Sequence, residues 1–231
     1  MPNARPPIAV ALDVADLATA RTLASSLGDS VACLKIGLET YLRDGSAGVV
    51  DIMTAAGPGT ELFLDLKLHD IPNTVAGAAR SVAHLRPALL TVHAGGGPQM
   101  IEAAVHALPD TQITAVTILT SMSAQDLAAV GMVGEPIEAV VRLAQLAVDA
   151  GATALVCSPL EVAAVRAAVG PHIRLVTPGV RPAGSAVGDQ QRVATPEQAV
   201  ADGADLLVIG RPITGDADPA AAARAIGDSL S

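Results

Sequence analysis

Short apolar runs rich in leucine and β-branched residues recur along the chain, and a segment with helical periodicity follows each. Because these runs are apolar at consecutive positions, they predict strands covered on both faces, as in a parallel sheet flanked by helices. The intervening segments are rich in alanine, and their apolar positions repeat roughly every 3.6 residues, which predicts amphipathic helices. The predicted strands span residues 8–13, 32–37, 61–67, 89–93, 113–119, 154–157, 174–177 and 206–209.

Eight strand–helix units within 231 residues favour a closed (β/α)8 barrel over a doubly wound open sheet. Helices are predicted over residues 17–27, 137–150 and 219–230, among others. Hydrophobic residues make up 51% of the chain, yet it has one Phe, one Tyr and no Trp, so Ala, Val, Leu and Ile must form the core. No linker or charge block divides the sequence, and we expect a single domain over residues 1–231.

The charge balance restricts the partners that the chain can bind. It has 14 Lys and Arg against 23 Asp and Glu, a formal net charge of −9. Since no basic stripe is present to neutralise many phosphates, we expect no nucleic acid and no anionic membrane as a partner. A small anionic ligand remains compatible with this balance, because a few local arginines can bind one phosphate.

Three features indicate a cytoplasmic protein. No run approaches the roughly 20 apolar residues that a membrane span requires, and no apolar signal segment follows the N-terminus. Cys33 and Cys157 lie in separate apolar runs without metal-binding spacing. We therefore expect two reduced structural thiols.

Polar or glycine residues follow nearly every predicted strand. In a (β/α)8 barrel the C-terminal ends of the strands face one common site, and side chains distant in sequence therefore converge there. A site built on strand ends is also well preorganised. The residues expected at this mouth are Asp13, Lys35, Asp65, Lys67, His93, Thr120, Ser158, Gly179, Gly210 and Arg211.

The third strand ends in Asp-Leu-Lys-Leu-His-Asp, residues 65–70. Asp65 and Lys67 are two apart, so a strand points both side chains to the barrel mouth, and Asp70 follows in the loop. A lysine flanked by carboxylates stays charged and oriented, which makes it a poor Schiff-base nucleophile and a good proton donor. A structural ion-pair network and a Mg²⁺ site remain as alternatives. Asn73 or Thr74 is expected to cap the next helix.

The loops after the seventh and eighth strands predict a phosphate site. Barrels commonly bind phosphate in these loops, where glycine admits the anion to backbone N–H groups and arginine binds it bidentately. Arg181 precedes a glycine-rich segment, 183–188, and Gly210 and Arg211 follow the last strand. The glycine-rich segment is typical of a lid over a bound phosphate. Turn glycines beside solvated arginines are the alternative.

Two further groups of polar residues have open roles. His93 either lines the pocket or is a hydrogen-bonded structural histidine, and His69 is expected to point away from Lys67. Thr120, Ser121 and Ser123 either bind a polar ring or cap the following helix.

Residues 63–74, Phe-Leu-Asp-Leu-Lys-Leu-His-Asp-Ile-Pro-Asn-Thr, closely resemble the signature of the orotidine 5′-monophosphate decarboxylase family. Further landmarks of this family occur in order from about residue 8 to the last helix. They are Ala11-Leu-Asp13, Leu34-Lys35-Ile-Gly37, Thr91-Val-His93-Ala, Val116-Thr-Ile-Leu-Thr120-Ser-Met122, Thr177-Pro-Gly-Val-Arg181-Pro, Gly188-Asp-Gln190 and Ile209-Gly-Arg211-Pro-Ile-Thr214.

The resemblance implies a cofactor-free decarboxylation of orotidine 5′-monophosphate to uridine 5′-monophosphate, the last step of pyrimidine nucleotide synthesis. It also implies that Lys67 is the proton donor and that Asp70 and Lys35 belong to the same catalytic group. Asp65 would lie near the departing carboxylate, where it either raises the ground state by repulsion or positions Lys67. Asp70 and Thr74 would reach into the neighbouring subunit's site, which implies a homodimer. The implied substrate contacts are Asp13 and Lys35 on the ribose, Thr120 on the pyrimidine, and Gln190, Arg181, Gly210 and Arg211 on the phosphate side.

Two other functions compete with this hypothesis. The bare Asp-Lys-Asp motif is shared with sister enzymes that act on sugar phosphates through a Mg²⁺-stabilised enediolate, such as a keto-gulonate phosphate decarboxylase or a hexulose phosphate synthase. A non-catalytic nucleotide-binding barrel is the second alternative. The longer motif and the Thr-Pro-Gly-Val-Arg-Pro segment favour the orotidine compound.

Overall fold

The computed structural model describes residues 5–132, 134–182 and 194–230. Eight parallel strands form a closed barrel in sequence order, and the first strand also pairs with the last. The predicted (β/α)8 barrel is therefore confirmed. The strands are β1 (Ile8–Ala11), β2 (Cys33–Gly37), β3 (Glu61–Leu68), β4 (Leu89–His93), β5 (Gln112–Val116), β6 (Ala154–Val156), β7 (Arg174–Thr177) and β8 (Leu206–Ile209).

Helices alternate with the strands and cover the outside of the barrel. Two short 3₁₀ helices, Ala83–Leu85 and Ala94–Gly96, flank β4. The α-helices are α1 (Leu17–Leu27), α2 (Leu38–Ala56), α3 (Pro72–Val82), α4 (Pro98–Ala107), α5 (Ala124–Ala129), α6 (Pro136–Asp149), α7 (Val162–Val169), α8 (Pro196–Ala201), α9 (Arg211–Thr214) and α10 (Pro219–Asp228).

The predicted strand and helix positions are confirmed, with shifts at some ends. Strand β5 ends at Val116 and not at residue 119, because its partner β6 is only three residues long and ends opposite it at Val156. Strand β1 likewise ends at Ala11, where its pairing with Lys35 of β2 ends. The residues after both ends enter the loops at the mouth of the barrel.

The start of α3 differs from the prediction. The helix begins at Pro72, and Ile71 occupies the capping position without a side-chain hydrogen bond. Proline suits the first helical position because its fixed φ is already helical and no N–H is needed there. Asn73 and Thr74 lie inside the first turn, so the prediction that either caps this helix is wrong.

Two buried clusters form the core. The larger one packs the outward strand residues against the helices. The smaller one fills the barrel interior around Phe63, the single phenylalanine, and it also contains Ala9, Cys33, Leu89, Ala154, Val176 and Leu206. This interior is packed with side chains, as is typical of such barrels, and leaves the mouth as the place for a ligand within the barrel.

Across the part of the chain that the structure describes, no helix is both long enough and apolar enough to span a bilayer.

Candidate active site

A cavity of about 440 Å³ lies at the C-terminal ends of the strands. This volume is within the roughly 300–1,000 Å³ typical of small-molecule sites. The barrel topology explains the convergence, because parallel strands place all their C-terminal ends at one mouth. The predicted residues that line the cavity are Asp13, Lys35, Asp65, Lys67, Thr120, Gly179, Arg181, Gly210 and Arg211.

Four of these side chains form a chain of alternating charge. The Lys35 ammonium lies 3.3 Å from Asp13 Oδ1 and 3.4 Å from Asp65 Oδ2, and Asp65 Oδ1 lies 2.8 Å from the Lys67 ammonium. The side chains of Lys35 and Asp65 are 9% and 12% exposed, whereas that of Lys67 is 31% exposed. Of the two lysines in this row of four charged side chains, Lys67 is therefore the one more exposed to the open cavity.

The Asp65 carboxylate is kept ionised by its neighbours. Burial by itself raises its pKa, but the charges of Lys35 and then Lys67, together with hydrogen bonds from Lys67 and Thr91, outweigh burial and lower it. An ionised Asp65 can orient both ammonium groups at once.

Lysine occurs at two positions in the chain, Lys35 and Lys67, while all the other cationic side chains are arginines. Both lysines line the cavity. An ammonium can give up a proton in a reaction, whereas a guanidinium stays charged in proteins. This distribution is compatible with proton transfer at the site.

Strand β3 is irregular where it presents Lys67. Lys67 has φ 48°, in the left-handed region that residues other than glycine rarely adopt. Its backbone N–H donates to the Thr91 hydroxyl at 2.8 Å, and that hydroxyl donates to Asp65 Oδ1 at 3.0 Å. Sequence reasoning singled out no role for Thr91. The feature of the sequence that could have indicated one is that Thr91 is a polar residue within the otherwise apolar run of β4.

Asp70 does not flank Lys67 as the sequence predicted. Its side chain is exposed and accepts a hydrogen bond from the Ile71 N–H at 2.6 Å, and it forms no ion pair with Lys67 in this chain. Asp70 lies beyond the end of β3 at Leu68, in the short segment before α3. Thr74 is also exposed, and neither residue lines the cavity within the described part of the chain.

Glycine and arginine residues from the last two loops also line the cavity. Gly179 has φ 81°, which a residue with a side chain would resist. Arg181 Nη1 donates to the Val180 carbonyl at 2.8 Å, and Arg211 begins α9 directly after Gly210. Gln190 and the segment 183–188 lie outside the described residues, so their predicted roles stay predictions.

Of the remaining polar candidates, Thr120 lines the cavity, whereas His69, His93, Ser123 and Ser158 do not. His93 is half-buried, its ring centroid is 5.3 Å from that of His69, and neither lines the cavity. Burial, followed by the charges of His69 and Lys67, lowers the His93 pKa. Ser123 caps α5 through Asp126, whereas Thr120 lines the cavity. Ser158, two residues after the end of β6, is completely buried and does not line the cavity.

The two thiols are buried and unpaired with each other. Burial raises the pKa of both, in the case of Cys157 to about 12. Among the residues that the structure describes, no three His, Cys, Asp or Glu side chains are grouped so that they could hold a metal ion.

Comparison with known proteins shows the relationship of this chain. Residues 6–226 match the family model described as "Orotidine 5'-phosphate decarboxylase / HUMPS family". Over 224 residues the chain is 63% identical to orotidine 5′-phosphate decarboxylase from Thermobifida fusca (strain YX), covering 97% of this chain and 95% of that protein. It is 53% identical over 245 residues to the protein of the same name from Frankia casuarinae, covering 100% of this chain and 89% of that protein.

Solved structures have the same fold. The crystal structure of orotidine 5′-phosphate decarboxylase from Lactobacillus acidophilus superposes with a TM-score of 0.84 at 36% identity, covering 98% of this chain and 99% of the other. That of an uncharacterized conserved protein from Geobacillus kaustophilus superposes with a TM-score of 0.85 at 32% identity, covering 97% of this chain and 100% of the other.

Proposed function

Because the chain belongs to the orotidine 5′-phosphate decarboxylase / HUMPS family, we propose that it converts orotidine 5′-monophosphate to uridine 5′-monophosphate and CO₂. This reaction is the last step of pyrimidine nucleotide synthesis. The observation that carries the chemistry is the Lys67 ammonium, which faces the cavity and is held 2.8 Å from Asp65.

The cavity offers a separate group of residues to each part of the nucleotide. Arg181, Gly210 and Arg211 take the phosphate, because arginine and glycine backbone suit this anion. Thr120 takes the pyrimidine. The Asp13–Lys35 pair, 3.3 Å apart, takes the ribose hydroxyls, to which it offers an acceptor and a donor.

Lys67 acts at the reacting carbon. When the bond between C6 and the carboxylate carbon breaks, CO₂ leaves and the electron pair stays on C6. A fixed ammonium stabilises this developing charge and then transfers a proton to C6, after which solvent reprotonates the amine. Asp65 holds the ammonium at 2.8 Å, and this contact supports a positioning role. The mechanism assigns no step to a cofactor.

We also propose a homodimer with shared sites. Asp70 and Thr74 are exposed in the segment that follows the C-terminal end of β3, and Ile71 between them is 66% exposed, so it offers apolar surface that a second copy of the chain could bury. A second copy of the chain that covers Ile71 would receive Asp70 and Thr74 at its own cavity. A cytoplasmic location is likewise proposed, and the two unpaired cysteines support it.

The test is the pyrimidine absorbance of orotidine 5′-monophosphate after addition of the purified protein in excess EDTA. The absorbance change of decarboxylation is expected, and one Tyr without Trp keeps the protein's own absorbance low. Activity that is lost in EDTA and restored by Mg²⁺ would favour the sugar-phosphate enzymes. Binding of uridine 5′-monophosphate without turnover would favour a nucleotide-binding barrel.

A further inference from the structure

The ladder between β3 and β4 is interrupted directly beside the catalytic residues. Leu64 pairs with Leu90 and Leu68 pairs with Val92, so three residues of β3 lie opposite the single residue Thr91 of β4. Such a bulge re-aims side chains and leaves backbone groups without their regular ladder partners. Any group that replaces those partners helps to decide where the bulge residues point.

The Thr91 hydroxyl replaces a missing partner and also contacts a catalytic side chain. It accepts the Lys67 N–H at 2.8 Å and donates its own proton to Asp65 Oδ1 at 3.0 Å. The same Asp65 oxygen accepts the Lys67 ammonium at 2.8 Å. The Thr91 hydroxyl is therefore linked to Lys67 in two ways. It binds the backbone N–H of Lys67 directly, and it is connected to the Lys67 ammonium through Asp65.

We propose that Thr91 is a positioning residue for the decarboxylation. Thr91 sets the position of the Lys67 ammonium and does not touch the substrate. This inference rests on the proposed roles of Lys67 and Asp65. Thr91 is completely buried, and its β-branched side chain has few rotamers, so its hydroxyl is held in one place. The left-handed φ of Lys67, 48°, then persists because its N–H has a fixed acceptor.

Thr91→Val removes the hydroxyl while keeping nearly the same shape. We expect kcat to fall about 10- to 100-fold, since small displacements of a catalytic group have effects of this size. The KM for orotidine 5′-monophosphate and the Kd for uridine 5′-monophosphate should change less than about 3-fold, because Thr91 is absent from the ligand-binding wall. Thr91→Ser retains the donor and acceptor and should keep kcat within about 3-fold of the parent.

Thr114→Val is the matched control. Thr114 pairs in register with Thr91 on the neighbouring strand, is equally buried, and donates its hydroxyl to the Gln112 carbonyl instead of a catalytic group. This variant measures the effect of losing a buried hydroxyl from the same part of the barrel. Its kcat should stay within about 3-fold of the parent protein.

The outcomes separate the two proposals. The positioning role is overturned if Thr91→Val has the same kcat as Thr114→Val. It is also overturned if Thr91→Val raises KM and Kd by the same factor as it lowers kcat. In both cases the decarboxylase assignment stands. An inactive parent protein, or an active Lys67→Ala variant, overturns the proposed function itself. If Thr91→Val does not fold, Thr91→Cys is used, because its thiol is a weak donor and acceptor; a parent-like kcat for that variant also overturns the role.

Discussion

The Lys67 side chain combines a charge with a proton that can be transferred. Its ammonium is paired with Asp65, which itself is paired with Lys35, so the cation is fixed at the cavity wall. In the proposed reaction this one group would combine two functions: stabilisation of negative charge on carbon and delivery of a proton to it.

Substitutions at Lys67 distinguish these functions. Lys67→Ala should lower kcat by at least about 1,000-fold, because both the charge and the proton are lost. Binding of uridine 5′-monophosphate, measured by calorimetry, should persist. Lys67→Arg is the matched variant: it keeps the charge but has no transferable proton, so it should also be nearly inactive. High turnover of Lys67→Arg would contradict the assignment as proton donor.

Arg211 is expected to recognise the phosphate of the ligand. Arg211→Ala should weaken binding of uridine 5′-monophosphate by about 10- to 100-fold, the effect of losing hydrogen bonds to a charged group. Binding of uridine, which has no phosphate, should hardly change. Arg21→Ala, which removes an exposed arginine of α1, is the control for lost charge. Equal weakening of both ligands by Arg211→Ala would argue against a phosphate contact.

Helices and strands contribute mainly stability and placement. Helix α1 is a clear example, because its Asp16 cap accepts the Thr19 N–H at 2.7 Å and the Thr19 hydroxyl at 2.9 Å. These bonds satisfy backbone donors that the first helical turn leaves without partners. The N-terminal loop of α1 also carries Asp13, so the start of this helix is close to the cavity.

Asp16→Ala should lower the Tm by roughly 2–4 °C, as expected when a helix of a domain of this size loses its cap. Differential scanning calorimetry measures this change. Asp110→Ala removes the same charge from an exposed turn that has no cap, and its Tm should be unchanged. A loss of Tm equal in both variants would indicate a general charge effect and not a capping effect.

The closed barrel also controls the chemistry of the two thiols. Cys33 and Cys157 are completely buried, and burial raises the pKa of each. Because the thiolate is the reactive form, neither cysteine should react with a thiol reagent in the native protein. Both should react once denaturant unfolds the chain, so labelling should follow the loss of circular dichroism. Rapid labelling of either thiol in the native state would contradict this prediction.

A shared site makes a prediction for the complete assembly. Lys67→Ala and Asp70→Ala proteins should each be nearly inactive alone. In mixed dimers one of the two cavities would receive an intact Lys67 from one subunit and an intact Asp70 from the other. Activity should therefore reappear on mixing, with at most one of the two cavities of each mixed dimer active. Absence of recovery after subunit exchange has been demonstrated with tagged chains would argue against shared sites.

Local patterns were sufficient to predict the barrel and much of its mouth. Apolar periodicity depends on neighbouring residues only, so the positions of β4, β7, β8 and α1 could be predicted closely. The convergence of Asp13, Lys35, Asp65 and Arg211 followed from topology, because every parallel strand of a barrel ends at the same mouth.

The sequence alone determined the strand–helix alternation, the barrel and the residue types that can reach its mouth, since these follow from local periodicity and topology. Only the tertiary structure decided which of these side chains meet. The bond of Thr91 to Lys67 and the outward position of Asp70 depend on the register between β3 and β4 and on the turn after β3. Register is a relation between segments far apart in the chain, and a shift of one residue reverses where a side chain points.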